Sequence, residues 1–179
     1  MIDFLIFALV GIVTGTMAGL FGVGGGLIIV PVMHYVLTVN GVIESIAIPL
    51  SIGTALACII VTSSSAAYSH YKKNSLSVKR FLQLSVGILI GAGFGASFVT
   101  NVDAEILKKI LAIFVTLMSL RLFINIKMPT ARSEPHFLYF NTSGVAIGYL
   151  SSIFGIGGGI FSVPLLKMSG MEMKKAVGT

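Results

Sequence analysis

Residues 21–31 read FGVGGGLIIVP and residues 154–164 read FGIGGGIFSVP. Glycine costs about 1 kcal/mol relative to alanine inside a helix, so three in succession mark a break, and both breaks lie in apolar sequence. Backbone polar groups cannot be left unpaired in lipid. A broken helix at membrane depth is tolerated only where it is buried in protein or lines a wet cavity. The doubled stretch therefore decides two things together: the surroundings of the chain and the place where its backbone is free to meet a ligand.

The surroundings follow from composition. Of 179 residues, 55% are hydrophobic and 10% charged, against about 25% charged in soluble domains, and the mean hydropathy is +1.00. Stretches of about 20 apolar residues, enough to cross a bilayer core, recur between short polar breaks. The block Phe4 to Val39 is too long for one upright helix and reads as a helix from about Asp3 to Leu20, a break across 22–26, and a short helix from about Leu27 to Leu37. Ile46 to His70, Phe81 to Thr100 and Ile106 to Ile126 read as full spans. The first stretch starts at Ile2 with no basic region before it, so it reads as a retained span and not a signal peptide. Cys58 is the sole cysteine, which excludes an intrachain disulfide. The expected class is an all-α polytopic membrane protein.

Shifting the chain by 133 positions aligns Gly15 to Tyr35 with Gly148 to Met168, with matches at Gly15, Phe21, Gly22, Gly24, Gly25, Gly26, Val30 and Pro31. Such self-similarity indicates two homologous repeats with broken helices. Residues 1–128 form the first repeat, of about four crossings, 129–136 a polar cytoplasmic linker, and 137–179 the start of a second repeat. Ser51-Ile52-Gly53-Thr54 opens a long span in the first copy. Ala176-Val177-Gly178-Thr179 occupies the matching place in the second, which is therefore expected to be incomplete: a fragment lacking a C-terminal half, or a short form that needs a homo-oligomer. Lys72, Lys73, Lys79 and Arg80 in one loop, and Lys127 and Arg132 two spans later, put both loops in the cytoplasm by the positive-inside bias. The turns near Glu44 and near Asp103 and Glu105 then face outward, with Lys108 and Lys109 snorkelling. A net single crossing by Phe4 to Val39 makes the N-terminus cytoplasmic and the two halves parallel. Lys167, Lys174 and Lys175 would then fall outside, so an inverted arrangement stays open.

Consecutive glycines can adopt positive φ and turn main-chain N–H groups toward one point, a nest for an anion. The helix that follows adds its free N–H groups and positive dipole end, and Pro31 suits a first turn. The arrangement resembles the discontinuous helices of secondary transporters. The competing reading is close helix packing alone. FGVGGGLIIVP with its second copy, SIGT and AVGT after them, and the segment HYKKNSLSVK resemble the sulfite exporter TauE/SafE family of membrane permeases. That resemblance implies a multi-pass permease of the bacterial or archaeal inner membrane with about eight spans in two four-span repeats, moving sulfur-containing anions such as sulfite or sulfonates. Asn74 and Ser77 depart from it, standing where glycine and aspartate are expected.

Candidate substrate-binding residues are Gly24, Gly25, Gly26, Gly157, Gly158 and Gly159, with Ser51 and Thr54 at the start of a polar face that continues through Cys58, Thr62, Ser65 and Ser69. Small polar faces also serve as helix contacts. Gly11, Gly15 and Gly19, and likewise Gly87, Gly91 and Gly95, are expected to be packing grooves. His70 reads as an interfacial anchor, and His34 is matched by Lys167 in the second copy. Arg121 is expected to snorkel to the cytoplasmic surface. All six carboxylates lie outside or at the ends of spans, which argues against an enzyme, a metal site or a cation pathway. The glycine runs fit neither a dinucleotide nor a P-loop pattern. The net charge of +6 lies beside the membrane and needs no nucleic acid. The expected function is a permease for a small anion, with the lipid bilayer as surroundings and no cofactor; the alternative is a membrane scaffold whose glycines only pack.

Overall fold

The structure, a computed structural model, describes residues 8, 11–16, 25–73, 77–123 and 137–179, with the side chains of 79, 121–123, 137 and 138 outside the description. Gly22 to Gly24, Asn74, the linker 129–136 and the Arg121 side chain lie outside it too. After a helical stretch over 11–16 come α1 (Gly26–Val39), α2 (Glu44–Lys72), α3 (Val78–Asn101), α4 (Ala104–Phe123), α5 (Phe137–Phe154), α6 (Gly159–Met168) and α7 (Met173–Gly178). Every regular element among the described residues is an α-helix. Glu44–Lys72 and Arg80–Asn101 are long and apolar enough to cross a bilayer, and 28% of each apolar window is buried inside the protein. Ile60, Val61, Leu89 and Phe94 point outward instead. A core helix of a soluble protein would hide such a surface, whereas lipid accepts it.

The tightest packing is between α3 and α5. A Cβ on Gly87 would lie 2.3 Å from the Asn141 carbonyl oxygen, on Gly91 2.0 Å from that of Val145, and on Gly95 2.6 Å from that of Tyr149. Gly144 and Gly148 return the fit, with Leu84 and Ile88 carbonyls at 2.8 and 2.2 Å. Both helices advance together in this register, so they run parallel, backbone against backbone, as small residues at every fourth position permit. The groove expected at Gly87, Gly91 and Gly95 is thus filled by α5.

Ion pairs mark one end of the bundle. Lys108 at the start of α4 binds Glu44 at the start of α2, and Lys109 binds Glu105 at 2.9 Å. These lysines are paired, not merely snorkelling as expected: Glu44 opens α2 beside Lys108, and Glu105 lies one turn before Lys109 on α4 itself. The opposite end is marked by Ser77, whose N–H donates to Thr179 Oγ1 at 3.1 Å.

α1 packs Val30 into the core with Ile48, Ile52, Phe114 and Phe154, then reaches its end beside Glu44. α6 begins with Ile160 against that same core and continues with Leu166 against Leu84 and Phe140 near the starts of α3 and α5. The two short helices therefore leave the glycine region in opposite senses. Both end alike: Gly41 and Gly170 take φ of 81° and 86°, and the N–H groups of Val42 and Met171 reach back to the Leu37 and Leu166 carbonyls at 3.0 and 3.2 Å, a Schellman closure. Pro31 and Pro164 are each the sixth residue of their helix, one turn deeper than expected. There each removes a bond to the carbonyl four residues back, that of Leu27 or Ile160, and the helix continues through it.

Candidate functional site

A cavity of about 920 Å³ joins the glycine stretches to one face of α2. Its blind end is formed by Gly25 at the start of α1 and by Ile156, Gly157, Gly158 and Gly159 before α6. Along α2 the wall runs from Thr54 through Cys58, Thr62 and Ser63 to Ala66, about 18 Å at helical rise, toward the Ser77 end. The helical stretch over 11–16 closes another side with Gly11, Thr14 and Gly15. On the Glu44 side the buried core around Val30, Ile52, Phe154 and Ile156 seals it, with Phe114 stacked on Phe154 at 3.8 Å and 14°.

The glycines divide the work. In the second copy Gly155 and Gly157 carry the positive φ, 65° and 71°, whereas Gly158 at φ −62° caps α6 and Gly159 is already helical. In the first copy Gly25 at φ −61° caps α1 and Gly26 is helical. The expected left-handed triplet is thus corrected. The turn needs positive φ at alternate positions, after which the remaining glycines start the helix. Gly26 is buried, and a Cβ on it would lie 1.9 Å from the Gly155 carbonyl oxygen, so here one glycine motif is the packing surface of the other. At the same place a Cβ on Gly159 would meet nothing within 4 Å among the described residues.

The polar groups facing the cavity can be counted by their protons. The first bonds of α6 run from Phe161 and Ser162 N–H to the Gly158 carbonyl, and those of α1 from Ile28 and Ile29 to Gly25. The N–H groups of Gly159 and Ile160, and of Gly26 and Leu27, precede the first helical bonds and have no acceptor within their own helices. Side-chain hydroxyls are committed differently: Thr54 donates to the Leu50 carbonyl at 2.7 Å and Thr62 to that of Cys58 at 3.1 Å. Among the described residues, no lining side chain is charged. The two helix N-termini bring the positive ends of their dipoles to the cavity.

Of the expected site residues, Gly25, Gly157, Gly158, Gly159 and Thr54 line the cavity and Gly26 stands behind it. Gly24 lies outside the described residues. Ser51 is fully buried, donates to the Ala47 carbonyl at 2.6 Å and does not line the cavity. Cys58 and Thr62 of the polar face do line it, while Ser65 and Ser69 do not. Gly11 and Gly15 were expected in a packing groove, yet a Cβ on either would meet nothing within 4 Å among the described residues. Fourfold glycine spacing signals a smooth face equally well for a helix neighbour and for a cavity. Among the described residues, no group of His, Cys, Asp or Glu could hold a metal ion.

Fold and cavity define an α-helical membrane protein in which two short helices begin at one internal chamber. The chain belongs to the sulfite exporter TauE/SafE family, whose profile matches residues 7–179. It is similar to a probable membrane transporter protein of Haemophilus influenzae, 36% identical over 174 residues that cover 96% of this chain and 65% of the relative. A probable membrane transporter protein of Methanocaldococcus jannaschii is 29% identical, covering 94% of this chain and 63% of its own length. YunE of Bacillus subtilis, described in the same words, is 29% identical over 93% of this chain and 68% of its own. The chain thus spans about two thirds of the length of these relatives. No solved structure matches it.

Proposed function

We propose that the chain forms part of a secondary transporter that moves a small anion, of the sulfur-containing sulfite or sulfonate class, across the inner membrane of a bacterium or archaeon. The observation that carries this reading is the meeting of two oppositely directed half-helices, each presenting its N-terminal N–H groups at a chamber with no charged side chain among the described residues. An uncharged wall with two positive dipole ends favours an anion and disfavours a cation. It also holds the guest weakly enough to release it, as transport requires. By the positive-inside bias we read the Tyr71 to Arg80 loop, toward which the α2 wall of the chamber runs, as cytoplasmic. The matching motifs and closures of α1 and α6 support two repeats, here in inverted arrangement.

A scaffold reading has one observation in its favour, the tight fit of Gly26 on Gly155. Thermal unfolding in detergent with sulfite, sulfate, thiosulfate or a small sulfonate separates the two. A ligand held only by the folded state at a hundred times its Kd adds about 2.7 kcal/mol, so one anion of the panel should raise the melting temperature saturably. Absence of any such rise, with no anion flux in vesicles, refutes the permease.

A further inference from the structure

Basic side chains from both sequence copies gather at one end of the bundle. Lys72 ends α2, Lys73 caps it, and Arg80 lies in the first turn of α3. Lys72 stands over the Tyr68 ring at 5.1 Å and Arg80 over the Phe140 ring at 4.7 Å. For parallel halves Lys167, Lys174 and Lys175 are expected on the opposite side, but the structure brings them here. Leu166 and Ala176 share a buried cluster with Leu84 and Phe140, the Ser77 N–H donates to Thr179 Oγ1 at 3.1 Å, and α7 also touches α2. Among the described residues the carboxylate at this end is that of Glu172, 4.0 Å from Lys175, whereas Glu44, Asp103 and Glu105 stand at the other. Neither Lys73 nor Lys174 is in an ion pair among the described residues. The chamber runs toward the same end. Thr62 and Ala66 line it, and at steps of four and three residues their face of α2 continues through His70 to Lys73, about 10 Å past Ala66 at helical rise.

We propose that this end is an anion-gathering mouth: Lys73, with Lys174 and Lys175 of α7, raises the local concentration of the small anion at the open end of the chamber, while the half-helix N-termini hold it inside. This rests on the permease reading and divides its site in two. Electrostatic attraction of this kind speeds arrival. The N-termini lie at the blind end beside Thr54, about 28 Å from Lys73 at helical rise, several times the Debye length of about 8 Å at physiological salt. The lysines therefore act on entry and leave the hold, and so the release, to the main chain. The positive-inside bias accounts for cations at this surface, but it does not fix the helix face that Lys73 occupies or dock α7 beside it.

The experiment needs one thiol near the mouth, which Cys58→Ser with Ala66→Cys supplies. In phosphatidylcholine nanodiscs, its rate of modification by sulfonatoethyl methanethiosulfonate, an anion, is divided by its rate with the trimethylammonium reagent, a cation. The two differ by two charge units, so in about 10 mM salt Lys73→Gln should lower this ratio about threefold for a charge about 10 Å away. Lys73→Arg should keep the ratio, and Lys174→Gln with Lys175→Gln should lower it as well. In about 1 M salt, where the Debye length is about 3 Å, parent and variants should coincide. A ratio unchanged in all the Gln variants refutes the mouth, whatever becomes of transport. A parent ratio that falls to the Lys73→Gln level once phosphatidylglycerol is added assigns the lysines to lipid headgroups and refutes it too. In vesicles, Lys73→Gln should raise the KM for whichever of sulfite, sulfate, thiosulfate or a small sulfonate is moved, with kcat unchanged; an unmoved KM overturns the gathering role. If the ratio responds as expected and the parent moves none of the four, the mouth stands and the permease reading fails instead.

Discussion

A methyl group added at Gly91 would stand 2.0 Å from the Val145 carbonyl oxygen, where a carbon–oxygen contact needs about 3.3 Å. The obstacle is backbone, so α3 and α5 must separate by about 1.3 Å at that level, and the fits at Gly87, Gly95 and Gly148 loosen with it. Overpacking costs about 1–3 kcal/mol, and a rigid obstacle puts Gly91→Ala near 3. At about 2–4 °C per kcal/mol for a chain of this size, the melting temperature should fall by about 6–12 °C. Gly26→Ala, at 1.9 Å from the Gly155 carbonyl, should behave alike. Gly158→Ala differs on both counts. Its φ of −62° suits any residue, and among the described residues its Cβ would meet only the Ile147 Cγ2 at 3.2 Å, a side-chain atom that can yield. The change in stability should stay within about 1 kcal/mol, yet Gly158 itself lines the chamber, next in the chain to the N–H groups of Gly159 and Ile160. Folded yield and melting temperature, each with and without saturating anion, are the assay. Stability lost at Gly91 and Gly26 with the anion response intact, against an anion response lost at Gly158 with stability intact, supports the division of roles. Equal destabilisation at all three, with the anion response untouched, refutes it and returns the glycines to packing.

Two further outcomes follow from the cavity and its seal. Cys58 lines the chamber, so a small maleimide should alkylate it from the side of the Tyr71 to Arg80 loop, and a bound anion should slow the reaction; labelling confined to the Glu44 side contradicts the cavity's direction. Phe154→Ala removes a ring that is 7% exposed and stacked on Phe114, at a cost of about 3–5 kcal/mol. It should also leak the seal, seen as Cys58 labelling from the Glu44 side as well.

Much of this was already written in the chain order. Apolar stretches of span length appear as α2, α3 and α4 within a few residues of their expected limits, because a span is set by local composition and bilayer thickness. The short helices after both glycine runs were legible for a similar reason, since glycine acts on its own segment. Family membership was legible in the doubled motif itself. Periodicity shows which residues share a helix face but not what stands opposite. Hence Gly91 and Gly15 look alike in sequence, yet one meets the backbone of α5 and the other meets nothing within 4 Å among the described residues. Ser51 and Thr54 share a face, but only the second reaches the chamber, because depth along a helix depends on its neighbours. The directions of α1 and α6 rested in sequence on a few lysines, too few to outweigh one another. Packing settled them, since Val30 and Leu166 are buried in different cores at different ends of the bundle.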